Sequence, residues 1–286
     1  MPNHRGKSLP IQLVRIFCAT FSLTRMHRRL FIVGLIGGSC YLLLRNHSPT
    51  HPQMSHYREP TEYRLPANDI PAEVRKRLHP WIAGFIGLTP EAASLRVAER
   101  WASIQRPSLR ALRETLSQFK VEAIVDYGEG GRIRAFRPTD EEVGCGDFWY
   151  LPAPLSADEI TERLSPSGLQ GNDALHEFLV YYAGLSEDTT TAGHFMHDEP
   201  PWPLFSDSWD DSIEGFDEWK DSLMLYHARN GCHILVRRDG KVAWWIMQEG
   251  VVEHIADDFD SFIGQFNEHR KISWPYDPYG APEDRH

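Results

Sequence analysis

The sequence predicts an α+β protein, an antiparallel β-meander covered by helices, preceded by an N-terminal helical segment and a hydrophobic anchor. Three observations carry this prediction. Between Ser222 and Phe266, the turn signals Asn230-Gly231, Asp239-Gly240 and Glu249-Gly250 recur about every ten residues between apolar, β-branched and aromatic runs, the spacing of a meander. After Asp257 and Asp258, which offer a helix cap, Phe259, Phe262, Ile263 and Phe266 recur at helical spacing and make one apolar face that needs a sheet to cover. Leu30 to Leu44 is a run of fifteen residues without a charge, between His27-Arg28-Arg29 and Arg45.

In chain order, residues 1–29 form a basic leader, 30–44 a signal or anchor segment, 45–70 a linker, 71–138 a helical segment with a β-hairpin, 139–275 the main α+β domain and 276–286 a tail. The apolar run is short of the roughly 20 residues that span a bilayer, yet no A-x-A-like cleavage site follows it. An uncleaved anchor is the favoured reading, with the preceding basic residues leaving the C-terminal part outside the cytoplasm. An organellar transit peptide also fits an acid-free, Arg-rich leader, and a start at Met54 deletes the anchor and makes the protein cytosolic.

His47 to Asn68 is rich in His, Pro, Ser and Tyr and reads as an extended linker. Thr89-Pro90-Glu91 opens a helix with a capping hydroxyl, Pro at the first helical position and an early acid. Val97, Trp101 and Ile104 give that helix an apolar stripe, and Leu109, Leu112, Leu116 and Phe119 give one to the next, with Arg106, Arg110 and Arg113 on its solvated side. A hairpin over 121–126 and 132–137 follows, then a loop from Pro138 to Ala157. Ser156 and Glu159 make a capping box, and a helix over 172–184 buries Leu175, Phe178 and Leu179 and stops at Gly184. The meander strands are expected at 222–228, 232–237, 241–247 and 251–255. Trp244 and Trp245 point to opposite faces of one strand, so one lies under the helix and the other needs a second cover or a partner.

The formal charge of −10 conceals an asymmetry. Residues 1–58 hold eight of the 30 basic side chains and no acid, which leaves 22 basic against 40 acidic side chains, a net −18, in the rest. A body so acidic repels nucleic acid and favours basic partners. Of the four cysteines, Cys18 and Cys40 lie in the N-terminal apolar runs, so Cys145 and Cys232 allow one disulfide and fix no compartment.

Catalytic patterns fail: there is no Walker loop, no G-x-S-x-G and no dinucleotide fingerprint, so no catalytic residue and no cofactor is assigned. His194, His197 and Asp198 are the best metal candidates and define the alternative function, an extracytoplasmic metal-dependent enzyme, but nothing at ligand spacing completes the set. Cys232 and His233 point to opposite faces of a strand and cannot act on each other. The remaining unusual stretch is Ser206 to Ser222. It holds seven acids from Asp207 to Asp221 against Lys220, interleaved with Trp209, Phe216 and Trp219. Carboxylates among aromatic anchors suit the capture of a basic protein, with Trp209, Asp210, Asp211, Glu214, Asp217, Trp219 and Trp245 as partner-binding candidates. The other reading is a solvated loop whose two tryptophans fold back on the sheet.

Two motifs carry a resemblance. Leu175-His-Glu-Phe178-Leu179 through Gly184 resembles the "L..FL...G" helix end of the SUKH superfamily, and Ile255 to Ile263 is similar to its closing strand and helix. The resemblance covers residues 160–269 or so and departs from the superfamily pattern between Leu185 and Asp221. It implies a SUKH-like fold over 139–275 and a non-enzymatic binding module, in bacteria often an immunity protein that neutralises a toxin by occlusion.

Overall fold

A computed structural model describes residues 60–128, 130–138, 146–187, 193–197, 202–228 and 231–271. Strand β1 (Thr61–Arg64) is followed by four helices, α1 (Ala72–Arg77), α2 (Pro80–Ala83), α3 (Pro90–Trp101) and α4 (Pro107–Leu116). Thr89 caps α3 through its hydroxyl, with Pro90 in the first turn. Strands β2 (Lys120–Asp126), β3 (Arg132–Pro138) and β4 (Gly146–Pro152) follow, then α5 (Ala157–Leu164), opened by the Ser156–Glu159 capping box, and α6 (Asp173–Tyr182), capped by Asn172. The chain continues through β5 (His194–Phe195), a 3-10 turn at Phe205–Asp207, α7 (Phe216–Trp219), β6 (Leu223–His227), β7 (His233–Val236), β8 (Val242–Ile246), β9 (Val251–Ala256) and α8 (Phe259–Lys271).

The strands form two antiparallel sheets, β1-β2-β3-β4 and β5-β6-β7-β8-β9. One extended residue joins them edge to edge. Ser186 pairs with Tyr150 of β4 on one side and with His194 of β5 on the other; the Tyr150 amide donates to the Ser186 carbonyl at 2.8 Å and the Ser186 amide returns the bond at 3.0 Å. The class is α+β, but the fold is broader than the expected single meander. Strand β4 falls in the segment read as a loop, because Gly146, Asp147 and Pro152 punctuate its aromatic run Phe148-Trp149-Tyr150, and β1 falls in the segment read as linker.

One hydrophobic core serves both sheets. An aromatic chain runs from Trp149 of β4 to Trp101 of α3 (5.7 Å between ring centres), on to Tyr182 (5.4 Å), Phe178 (5.5 Å) and Phe195 of β5 (4.7 Å). Polar contacts cross the same divide: Arg106 at the start of α4 pairs with Glu177 of α6 at 3.1 Å and with Asp260 of α8 at 2.7 Å, so it is an interhelical clasp and not a solvated residue. The division expected at residue 139 therefore falls between β3 and β4, which pair along their whole length. A fragment of residues 139–286 is expected to be molten and to bind hydrophobic dyes, since it lacks β2, β3, α3 and α4. A cooperative thermal transition in that fragment would refute a shared core.

The membrane part of the expected fold is corrected. Among the described residues no helix is long and apolar enough to cross a membrane, so the expected membrane anchor, and the translocated C-terminal part inferred from it, have no counterpart among them. The run Leu30 to Leu44 itself lies outside the described residues, as do the basic leader, the tail and Cys145.

Candidate functional site: a carboxylate-faced cover on the second sheet

Alternation along β6 to β9 gives the second sheet two apolar faces. Trp244 joins the helix-side core with Phe178, Phe262 and Phe266, whereas Trp245 joins a separate cluster with Met224, Leu235, Ala243 and Val252. That second face is covered by the chain itself. Phe205, Ile213 and Trp219 descend onto it from the segment 204–219, and half-buried Trp209 and Phe216 pack alongside.

The cover is hydrogen-bonded to the sheet at both ends. The Phe205 amide donates to the Ser222 carbonyl at 2.9 Å and Ser206 to the Lys220 carbonyl at 2.9 Å, which folds the segment back beside β6. At its other end, the Glu214 amide donates to the Gly250 carbonyl at 2.9 Å and the Val252 amide to the Glu214 carbonyl at 3.0 Å, a parallel bridge to β9. Gly215 follows with φ of 87° and sits so close to β9 that an added Cβ would lie 3.3 Å from the Val252 carbonyl oxygen. Acids also set the cover's own turns: Asp207 accepts from the Leu204 amide at 2.7 Å and Asp210 from the Ser212 amide at 3.0 Å, and the Ser212 hydroxyl first, then that amide, lower the Asp210 pKa.

Each partner-binding candidate now has a place. Trp219 and Trp245 are each 2% exposed and belong to the protein's own second cluster; Trp209 packs against Trp245 with ring centres 5.1 Å apart and planes tilted by 60°. The acids face out. Asp210, Asp211, Glu214 and Asp217 are exposed, Asp217 with 92% of its side chain accessible, as are Asp207, Glu218 and Asp221. Glu218 pairs with Arg237 at 2.5 Å, and Arg237 also holds Asp239, whose pKa it draws down to about 2, while lying over the Trp219 ring at 5.1 Å. Asp211, Glu214 and Asp221 have carboxylates with no partner among the described residues. Beside the cover runs a groove of about 570 Å³ bordered by Glu218, Asp221, Ser222, Arg237 and Arg238; the buried Ser222 hydroxyl has no partner among the described residues.

The same sheet face carries a feature the sequence reading missed, a row of three histidines in register on neighbouring strands. His194 of β5 opposes His227 of β6, and His227 opposes His233 of β7, with ring centres 5.6 and 4.6 Å apart. The row ends on Trp245, the partner of His233 in β8. His233 is 7% exposed and its Nδ1 has no partner among the described residues; burial first, then the neighbouring charges of His227 and His194, lower its pKa to about 3. Burial lowers that of His227 as well.

The proposed metal set is not brought together. His197 bonds the Ala153 carbonyl through Nε2 at 3.0 Å, His194 stacks on His227 instead, and Asp198 lies outside the described residues. Among the described residues no group of three His, Cys, Asp or Glu is arranged to hold a metal ion. Cys232 is buried and its thiol donates to Gln248 at 3.3 Å. No protein-family model, curated protein or solved structure matches the chain.

Proposed function

We propose that this protein is a non-enzymatic binding module that captures a basic protein on the cover between Asp207 and Asp221 and acts by occluding it. One observation carries the reading. Seven exposed carboxylates are concentrated on a short segment that buried aromatics and two backbone bridges hold firmly against the sheet. A rigid acidic surface steers a basic partner and loses little entropy on binding. The SUKH resemblance points the same way and suggests an immunity-type role, in which a toxin is neutralised by coverage without chemistry. In this reading the acids meet the partner, while Trp219 and Trp245 act from beneath by holding the acids in place.

The two roles separate experimentally. Basic proteins encoded beside this gene are the partners to test, by association and dissociation rates over a range of salt. Asp210→Asn with Asp211→Asn is expected to slow association about three- to tenfold and to flatten its salt dependence, with the melting temperature nearly unchanged. Trp209→Ala is expected to lower the melting temperature with or without partner, because its ring packs on Trp245. Association that ignores both carboxylates would remove the cover from consideration as the binding surface.

A further inference from the structure

Lys220 of the cover and Arg237 and Arg238 of the groove beside it are the cations of this surface, and they differ in what holds them. Lys220 lies 3.5 Å from Asp217, and Arg237 is shared between Glu218 at 2.5 Å and Asp239 at 2.6 Å. Arg238 is exposed and has no hydrogen bond or ion pair among the described residues. Its stem is nonetheless seated. Gly168 has φ of 69°, and a Cβ there would lie 3.2 Å from both Cδ and Nε of Arg238, so the arginine rests against a bare stretch of the loop after α5. The same side chain lines two open depressions: the groove with Glu218 and Asp221, and a second between the β7–β8 turn and the start of α6, beside Asp173 and Asp239. None of these carboxylates pairs with it.

We propose that Arg238 is a specificity determinant of the acidic surface: it admits a basic protein whose docking face carries a carboxylate at this point, and it discriminates against an unbroken run of positive charge. The inference rests on the reading of the cover as the docking surface for a basic protein. The acids from Asp207 to Asp221 attract any polycation, so their field alone does not tell one partner from another. Discrimination needs a repulsive element beside the attractive one, and an unpaired guanidinium facing an incoming Lys or Arg supplies it. Facing a carboxylate, the same planar fork can donate two parallel N–H bonds without breaking an internal pair. Arg237 cannot serve in this way, because Glu218 and Asp239 already occupy it.

The test uses two peptide probes on the full chain at low salt, decalysine and the same peptide with one central lysine replaced by glutamate. Asp210→Asn with Asp211→Asn should weaken the binding of both, as the cover reading requires. Arg238→Gln should act on them in opposite directions, tightening decalysine about two- to threefold and loosening the glutamate peptide by a similar factor, the scale of one exposed charge contact. Its melting temperature should match that of the native chain, since Arg238 pairs with nothing among the described residues. An equal change for both probes, or no change for either, would overturn the proposal and leave the cover reading standing. Binding of neither probe, or binding indifferent to Asp210 and Asp211, would bring down the cover reading and the proposal with it.

Discussion

Replacing Trp101 by alanine is expected to destabilise the protein by about 3–5 kcal/mol, the range for removing a large aromatic from a packed core. Its ring is 1% exposed and touches Trp149 on one side and Tyr182 on the other, the two residues through which the first sheet's core continues into the second. The loss should therefore appear in both halves at once. Denaturant unfolding followed by tryptophan fluorescence and by far-ultraviolet dichroism should show one coincident transition at a lower midpoint. Two separated transitions, or a loss under about 1 kcal/mol, would mean that the sheets fold on separate cores.

Acid should weaken the protein through His233. In the unfolded chain an imidazole titrates near 6.5, while in the fold its pKa is lowered to about 3. Between those values the unfolded state binds the proton and the folded state does not. The stability is thus fully present above about pH 6.5 and is lost as the pH falls toward 3. At pH 4.5 the group accounts for about 2–3 kcal/mol of lost stability relative to pH 7, and His227, also shifted downward, adds in the same direction. Carboxylates titrate in the same range, so the measurement is a comparison: His233→Leu should flatten the stability profile between pH 7 and 4.5 relative to the native chain. Parallel profiles would show that His233 takes up its proton without unfolding.

Much of the second sheet was legible because its turns are local. Asn230-Gly231, Asp239-Gly240 and Glu249-Gly250 lie between β6 and β7, β7 and β8, and β8 and β9, where the expected strands stand within two residues of those observed. Glycine's access to positive φ is written into single positions, as Gly231, Gly240 and Gly250 show. The opposed faces of Trp244 and Trp245 followed from alternation alone. The first sheet was harder. Strand β4 is bounded by residues that break strands, and its pairing with β3 and Ser186 is what makes it one.

The cover has no period to read, because it is held by bridges to β6 and to β9, the latter 37 residues further along the chain from Glu214 to Val251. Trp219, which looked like an anchor for a partner, is buried between the cover and the sheet. Of the histidine row, half was available: His227 and His233 flank Asn230 symmetrically, so any hairpin closed there sets them opposite each other. His194 joins them only through the tertiary pairing of β5, which no local pattern announces.

The join at Ser186 also bears on how the protein avoids sticking to itself. An unpaired sheet edge is a template for another chain, and two separate sheets would present four. By pairing with Tyr150 and His194, Ser186 closes the inner two and leaves β1 and β9 outermost. Both outer strands carry charged or polar residues, Glu62 and Arg64 on one, Glu253 and His254 at the middle of the other, and β9 is further covered where Glu214 bonds to it. A single serine thus removes the two edges that lie beside the large buried aromatics Trp149 and Phe195.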